Sequence, residues 1–140
     1  MKKLLILLFS LIISVNSYGE WFKVGESNTG YVAYFEMDTI KENGGYIYYW
    51  VMLDYLIPTE VGNMSASRYL QGECGVGRVK TLSMIFYKQP MGKGKSETYN
   101  PPPEWDYPAP GSLLEVTTNY VCNYLTAPDD AVFKASPLPY

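Results

Sequence analysis

The stretch GYIYYWVMLDYL, residues 45–56, decides how the rest of the chain must fold. It holds four tyrosines and a tryptophan, and Asp54 is its only charge. Its β-branched and aromatic content favours strand over helix. In a strand, successive side chains alternate between faces. One face then carries Tyr46, Tyr48, Trp50, Met52 and Asp54, and the other Ile47, Tyr49, Val51, Leu53 and Tyr55. Neither face is polar along its length. Such a strand is central and needs cover on both sides. In a mainly antiparallel sheet that cover must come from a helix, a loop or a second subunit.

Upstream, EWFKVG (residues 20–25) reads as a first strand, closed by the turn-rich ESNTG. YVAYFEMD (31–38) reads as a second strand, and TIKENGG (39–45) breaks it, with Asn43-Gly44 as the turn signal. Downstream, SASRYLQGECG (65–75) and RVKTLSMIFYK (78–88) read as two strands joined by a Gly-rich turn, hence a hairpin. Residues 89–111 are rich in proline and glycine and are expected to be mostly irregular, with Trp105 pinning the segment to the body. At Ser112 the period changes. Ser112-x-x-Glu115 is a capping box, and Leu113, Val116, Tyr120 and Tyr124 recur at helical spacing, as do Leu114, Thr117/Thr118, Val121 and Leu125. A helix over 113–124 with a wide apolar face follows. Its threonines and valines weaken its intrinsic propensity, so it depends on packing. That helix is the natural cover for one side of residues 46–56.

The chain opens on MKKLLILLFSLIISVNSYGEW. Two lysines, about 12 nearly unbroken apolar residues, and small Ser17 and Gly19 before Glu20 give the layout of a secretory signal peptide. The apolar run is shorter than the roughly 20 residues of a membrane span. The domain plan is a signal peptide over 1–19, one domain over 20–125, and an extended tail over 126–140. The net charge is −3 and becomes more negative without Lys2 and Lys3. The remaining cations are scattered, so there is no footprint for nucleic acid or for anionic membranes. In an exported chain, the two cysteines, Cys74 and Cys122, read as a disulfide. Closing so long a loop is worth roughly 4 kcal/mol in the chain-entropy model.

The chain contains no histidine. That removes histidine-based nucleophilic systems and histidine metal sites. A glycosidase needs only two carboxylates, but Glu36 and Asp38 read as a solvent-facing strand end. Asp54 reads as a polar strand terminus or as a partner of Arg68 or Arg78. GKGKS (92–96) lacks the full phosphate-loop spacing and reads as a Gly-rich loop with solvated lysines. DTIKENG lacks the acidic spacing of a calcium loop. Asn63-Met64-Ser65 is a formal glycosylation acceptor, which matters only in a eukaryotic pathway. The remaining functional signal is aromatic, since 14 residues are tyrosine. Tyr48, Tyr49 and Trp50 read as core. Tyr99, Trp105 and Tyr107 are balanced between core and surface contact.

Several landmarks together resemble the surface-adhesin E-like domain of Gram-negative bacteria. They are Trp21, Val24 and Gly25; then Asp38, Ile40, Gly45, Trp50, Asp54 and Tyr55; then Ser67, Glu73, Cys74 and Arg78. Met91–Gly94, Glu104-Trp105, Pro110-Gly111-Ser112 and a helix closing on Cys122 complete them. The resemblance implies a small secreted domain with a sheet, a helix and a disulfide. It implies adhesins that bind host extracellular-matrix proteins and plasminogen and can pair as dimers. Those adhesins are lipid-anchored, and here no acceptor cysteine stands near the cut. Surface display and a periplasmic location are therefore both open.

The expected architecture is α+β: a single antiparallel β-sheet of about five to six strands with one C-terminal helix packed on one face, and one disulfide. The expected function is a non-catalytic secreted binding module without cofactor or metal, adhesin-like, that holds a host matrix or plasma protein. The alternative is a structural envelope protein with no host ligand. A homodimer fits either reading. The candidate contact residues are Tyr46, Tyr48, Tyr55, Tyr99, Trp105 and Tyr107, with Cys74 and Cys122 as the tie.

Overall fold

The computed structural model describes residues 21–126. The expected signal peptide and nearly all of the expected tail lie outside them. The strands are β1 (Trp21–Ser27), β2 (Tyr31–Glu36), β3 (Lys41–Asn43), β4 (Tyr46–Tyr55), β5 (Ser65–Glu73), β6 (Arg78–Gln89), β7 (Lys93–Tyr99) and β8 (Trp105–Asp106). A single helix, α1 (Leu113–Thr126), ends the described chain. All eight strands belong to one antiparallel sheet with the path β1-β2-β4-β5-β6-β7. β3 pairs with the start of β4, and β8 with the start of β6. The sheet is thus six strands wide, and the two short strands extend rows that others begin.

Three segments differ from the sequence reading. The second strand stops at Glu36, and Met37–Thr39 forms a 3-10 turn that places Asp38 in solvent. The expected break over 39–45 contains β3, which turns into β4 through Gly44 and Gly45, both at positive φ. Two left-handed residues are what a two-residue hairpin requires. The largest difference is in 89–111, where β7 pairs along β6 from Met84 to Gln89. All seven residues of β7 are exposed, so no apolar alternation marks it. Its lysines, Lys93 and Lys95, suit an open sheet edge, where charge discourages pairing with another chain.

α1 begins as its capping box predicts. The Ser112 hydroxyl accepts the Glu115 amide at 3.2 Å. The Glu115 carboxylate reaches one residue further back than the standard box and accepts the Gly111 amide at 2.6 Å. The helix lies on the face of Ile47, Tyr49 and Val51. There Ala33, Phe35, Leu70 and Val121 complete the buried core, and Leu113, Leu114 and Tyr120 pack against it. Phe35 meets Tyr49 edge-on at 5.6 Å and stacks with Tyr120 at 5.7 Å. The Thr118 hydroxyl donates to the Leu114 carbonyl at 2.7 Å, so the Tyr49 hydroxyl 3.2 Å away donates to Thr118. Burial pushes the Tyr49 phenol up to about 12, and the Arg68 charge offsets only part of that. A disulfide joins Cys122 to Cys74, with 5.7 Å between the Cα atoms. It fastens the helix to the β5–β6 turn.

Candidate functional site

The opposite face of the sheet is covered only in part. Pro90–Gly92 folds over the end of β4 and the start of β5. The Met91 amide donates to Asp54 at 2.8 Å and the Gly92 amide to the Ser65 hydroxyl at 2.9 Å. Met52 is buried beneath this turn, and a Cβ on Gly92 would sit 2.6 Å from its terminal methyl. Asp54 is therefore a strand terminus that holds a turn. It pairs with neither Arg68 nor Arg78, because Arg68 points to the helix side and bonds Thr81, while Arg78 bonds Glu73 at 2.6 Å.

Beyond the turn the face is aromatic and, among the described residues, carries no helix. Tyr46, Tyr48 and Trp50 are half-buried there. Trp50 stacks on its cross-strand partner Tyr69 at 4.9 Å with 22° between the rings, and Tyr48 lies 6.3 Å from the same Tyr69. A spacing of 4.9 Å is that of neighbouring strands. Rings stacked side by side along the sheet cover one another's faces and turn their edges outward. The row thus offers ring edges and phenol hydroxyls.

The row ends in a cation–aromatic cluster. The Trp105 indole stacks on Tyr46 at 5.9 Å, with the Arg78 guanidinium 4.2 Å and the Lys80 ammonium 4.3 Å from its centroid. This contact fastens the Pro-rich segment to the sheet, as the sequence predicts. The Glu73 carboxylate and then the Tyr107 hydroxyl hold the Arg78 pKa above the ordinary guanidinium value.

The six candidate contact residues therefore divide. Tyr46, Tyr48, Trp105 and Tyr107 gather at this face and its end. Tyr55 belongs to the helix side, where it meets Tyr31 edge-on at 5.3 Å. Strand alternation alone puts Tyr55 opposite Tyr46. Tyr99 is exposed, and its pairing with Met84, itself paired with Arg68, also places it on the helix side. The expectation that Tyr48 and Trp50 are core is corrected: Tyr49 is fully buried, but its two neighbours are not. Sequence reasoning missed Tyr69, Arg78 and Lys80 as members of the cluster. Only the β4–β5–β6 register assembles them, and a shift of one residue would send them to the other face.

Among the described residues, no group of three or more histidine, cysteine, aspartate or glutamate side chains could hold a metal. No helix among them is long and apolar enough to cross a membrane.

A single sheet with one disulfide-tied helix and one open aromatic face defines a small α+β module of the kind that presents a surface. The chain belongs to the surface-adhesin protein E family, whose model matches residues 21–123. That is an adhesin family, not an enzyme family. The structure is similar to two structures of Haemophilus influenzae protein E. Crystal form II gives a TM-score of 0.65 at 11% identity, covering 80% of this chain and 94% of that one. The structure from a non-typeable strain gives 0.59 at 13% identity, covering 81% and 82%. At such identities the likeness concerns the fold. A comparison with curated protein sequences finds no match.

Proposed function

We propose that this adhesin-like protein is an exported, non-catalytic module that holds a protein partner, a host matrix or plasma protein, against its open face. The observation that carries this reading is the uncovered row of Tyr48, Tyr69 and Trp50, continued by Tyr46 and Trp105 with Arg78 and Lys80. Tryptophan, tyrosine and arginine dominate the energetics of protein interfaces. Rigid rings that present edges and hydroxyls supply contact area and hydrogen bonds with little ordering cost. Exported chain would be passed over immobilised plasminogen and solubilised basement-membrane matrix. Saturable binding that falls at least about tenfold in a Tyr48→Ser/Trp50→Ala variant supports the proposal. Undiminished binding by that variant, or no binding to either surface, overturns it.

The second reading is an envelope protein without a host ligand. It is favoured by the engagement of both cysteines in the disulfide, which leaves neither for a lipid. Protease treatment of intact cells separates the two. Digestion of the protein from outside supports display, and protection until the outer membrane is opened supports the envelope role.

A further inference from the structure

A second feature lies on the opposite side of the sheet and is independent of the open face. Where α1 starts across β4 and β5, the packing leaves a cavity of about 150 Å³. Its walls include Val51, Leu53, Leu70, Leu113 and Leu114, together with Arg68. An arginine in such company is unusual, because even a part-buried charge needs partners. Arg68 has few. One terminal nitrogen donates to the Thr81 hydroxyl at 2.6 Å. Its Nε is sealed from solvent and bonds nothing. Among the described residues no carboxylate forms an ion pair with it. The phenols of Tyr49 and Tyr55 and the Asp106 carboxylate are the acidic groups among the described residues whose fields reach it, and Asp106 is the one carboxylate among them. The guanidinium keeps its proton at any ordinary pH, so it cannot escape this cost by neutralising.

The first turn of α1 contributes in the same direction. Leu113 and Leu114 belong to that turn, where the helix dipole is positive. One part of the cavity therefore favours negative charge, and the rest is mainly apolar, with Tyr31 and Thr117 also in its wall. A cavity of roughly 150 Å³ is the size that admits benzene.

We propose that this cavity binds a small monocarboxylate with a compact apolar body, of about the bulk of benzoate. The carboxylate accepts from Arg68, whose planar fork suits two parallel hydrogen bonds. The apolar body fills the space against the leucines. Water is the competing occupant and would bond the guanidinium's terminal nitrogens without selecting an anion.

Benzoate and its neutral counterpart benzyl alcohol are the probes, titrated into the exported chain while the leucine methyl and arginine Nε–H resonances are followed by NMR. Saturable shifts at Leu113, Leu114 and Arg68 are expected, with benzoate binding at least about tenfold more tightly than benzyl alcohol. In an Arg68→Met variant that preference disappears while weak benzyl alcohol binding persists. A Leu53→Phe variant, which fills the cavity and keeps the arginine, loses both. No saturable shift with benzoate in the unaltered protein overturns the proposal, as does equal affinity for the two probes. Should either variant fail to fold, the benzoate-to-alcohol ratio in the unaltered protein decides alone.

Discussion

The two faces of β4 are built from similar residues and do different work. On one side Tyr49 is fully buried, its hydroxyl bonded to Thr118 and its ring set against Phe35. On the other, Tyr48 and Trp50 flank it in sequence, remain half-buried and stack on Tyr69. Both sides are aromatic, so residue type does not separate them. The helix does, because one helix covers only one face of a sheet and here it is bolted to that face through Cys122. Aromatic area in the covered layer contributes to stability. The same kind of area in the open layer has no helix over it among the described residues and is the surface that the proposed partner would meet.

Substitutions should therefore act oppositely on the two sides. The largest effect is expected from Phe35→Ala, which leaves a cavity and removes ring contacts with Tyr49 and Tyr120. A loss of about 5 kcal/mol is expected, at the top of the usual range for such a truncation, read from urea unfolding. Replacing both cysteines by serine should cost about 4 kcal/mol in the loop-closure model. Reductant should lower the melting temperature of the unaltered protein and leave that of the double variant unmoved.

Alkali gives a third contrast. An unfolded tyrosine loses its proton near its ordinary value, about 10, while Tyr49 keeps its proton until about 12. Between those values the folded state binds more protons than the unfolded one, so stability falls as pH rises. The expected total loss is about 3 kcal/mol, present in full above about pH 12 and absent below about pH 10. Tyr49→Phe should flatten the decline without abolishing it, because burial also raises the Tyr55 and Tyr120 phenols. An unchanged slope in urea midpoints against pH would show that Tyr49 is not shielded as described. The smallest effect belongs to the open layer. Tyr48→Ser should change stability by about 1 kcal/mol, measured by thermal melts. A loss as large as that of Phe35→Ala would mean that this face is core after all.

Much of the framework was legible in the chain. β-Branched and aromatic content marked β4, Asn43-Gly44 marked the turn before it, and Ser112-x-x-Glu115 marked the start of α1. These signals are local and follow from backbone sterics and hydrogen-bond closure. β7 was not legible, since all of it is exposed at an edge and an exposed strand need not alternate. The candidate site was half legible. Tyr46, Tyr48, Trp105 and Tyr107 stood out as aromatic residues in suggestive places. Tyr69, Arg78 and Lys80 join them only through the pairing of three strands, and Tyr55 and Tyr99 leave the group for the same reason.

By itself the sequence determined that a doubly apolar strand needs a cover, that a capped amphipathic helix is available to supply it, and that two cysteines can tie the parts together. It did so because alternation, capping and cysteine chemistry depend on neighbours along the chain. Only the tertiary structure decided which aromatic rings stack edge-out on the uncovered layer and which guanidinium is held among leucines without an ion pair among the described residues. Those outcomes depend on strand register and on where the helix ends up lying, both of which are set by residues far apart along the chain.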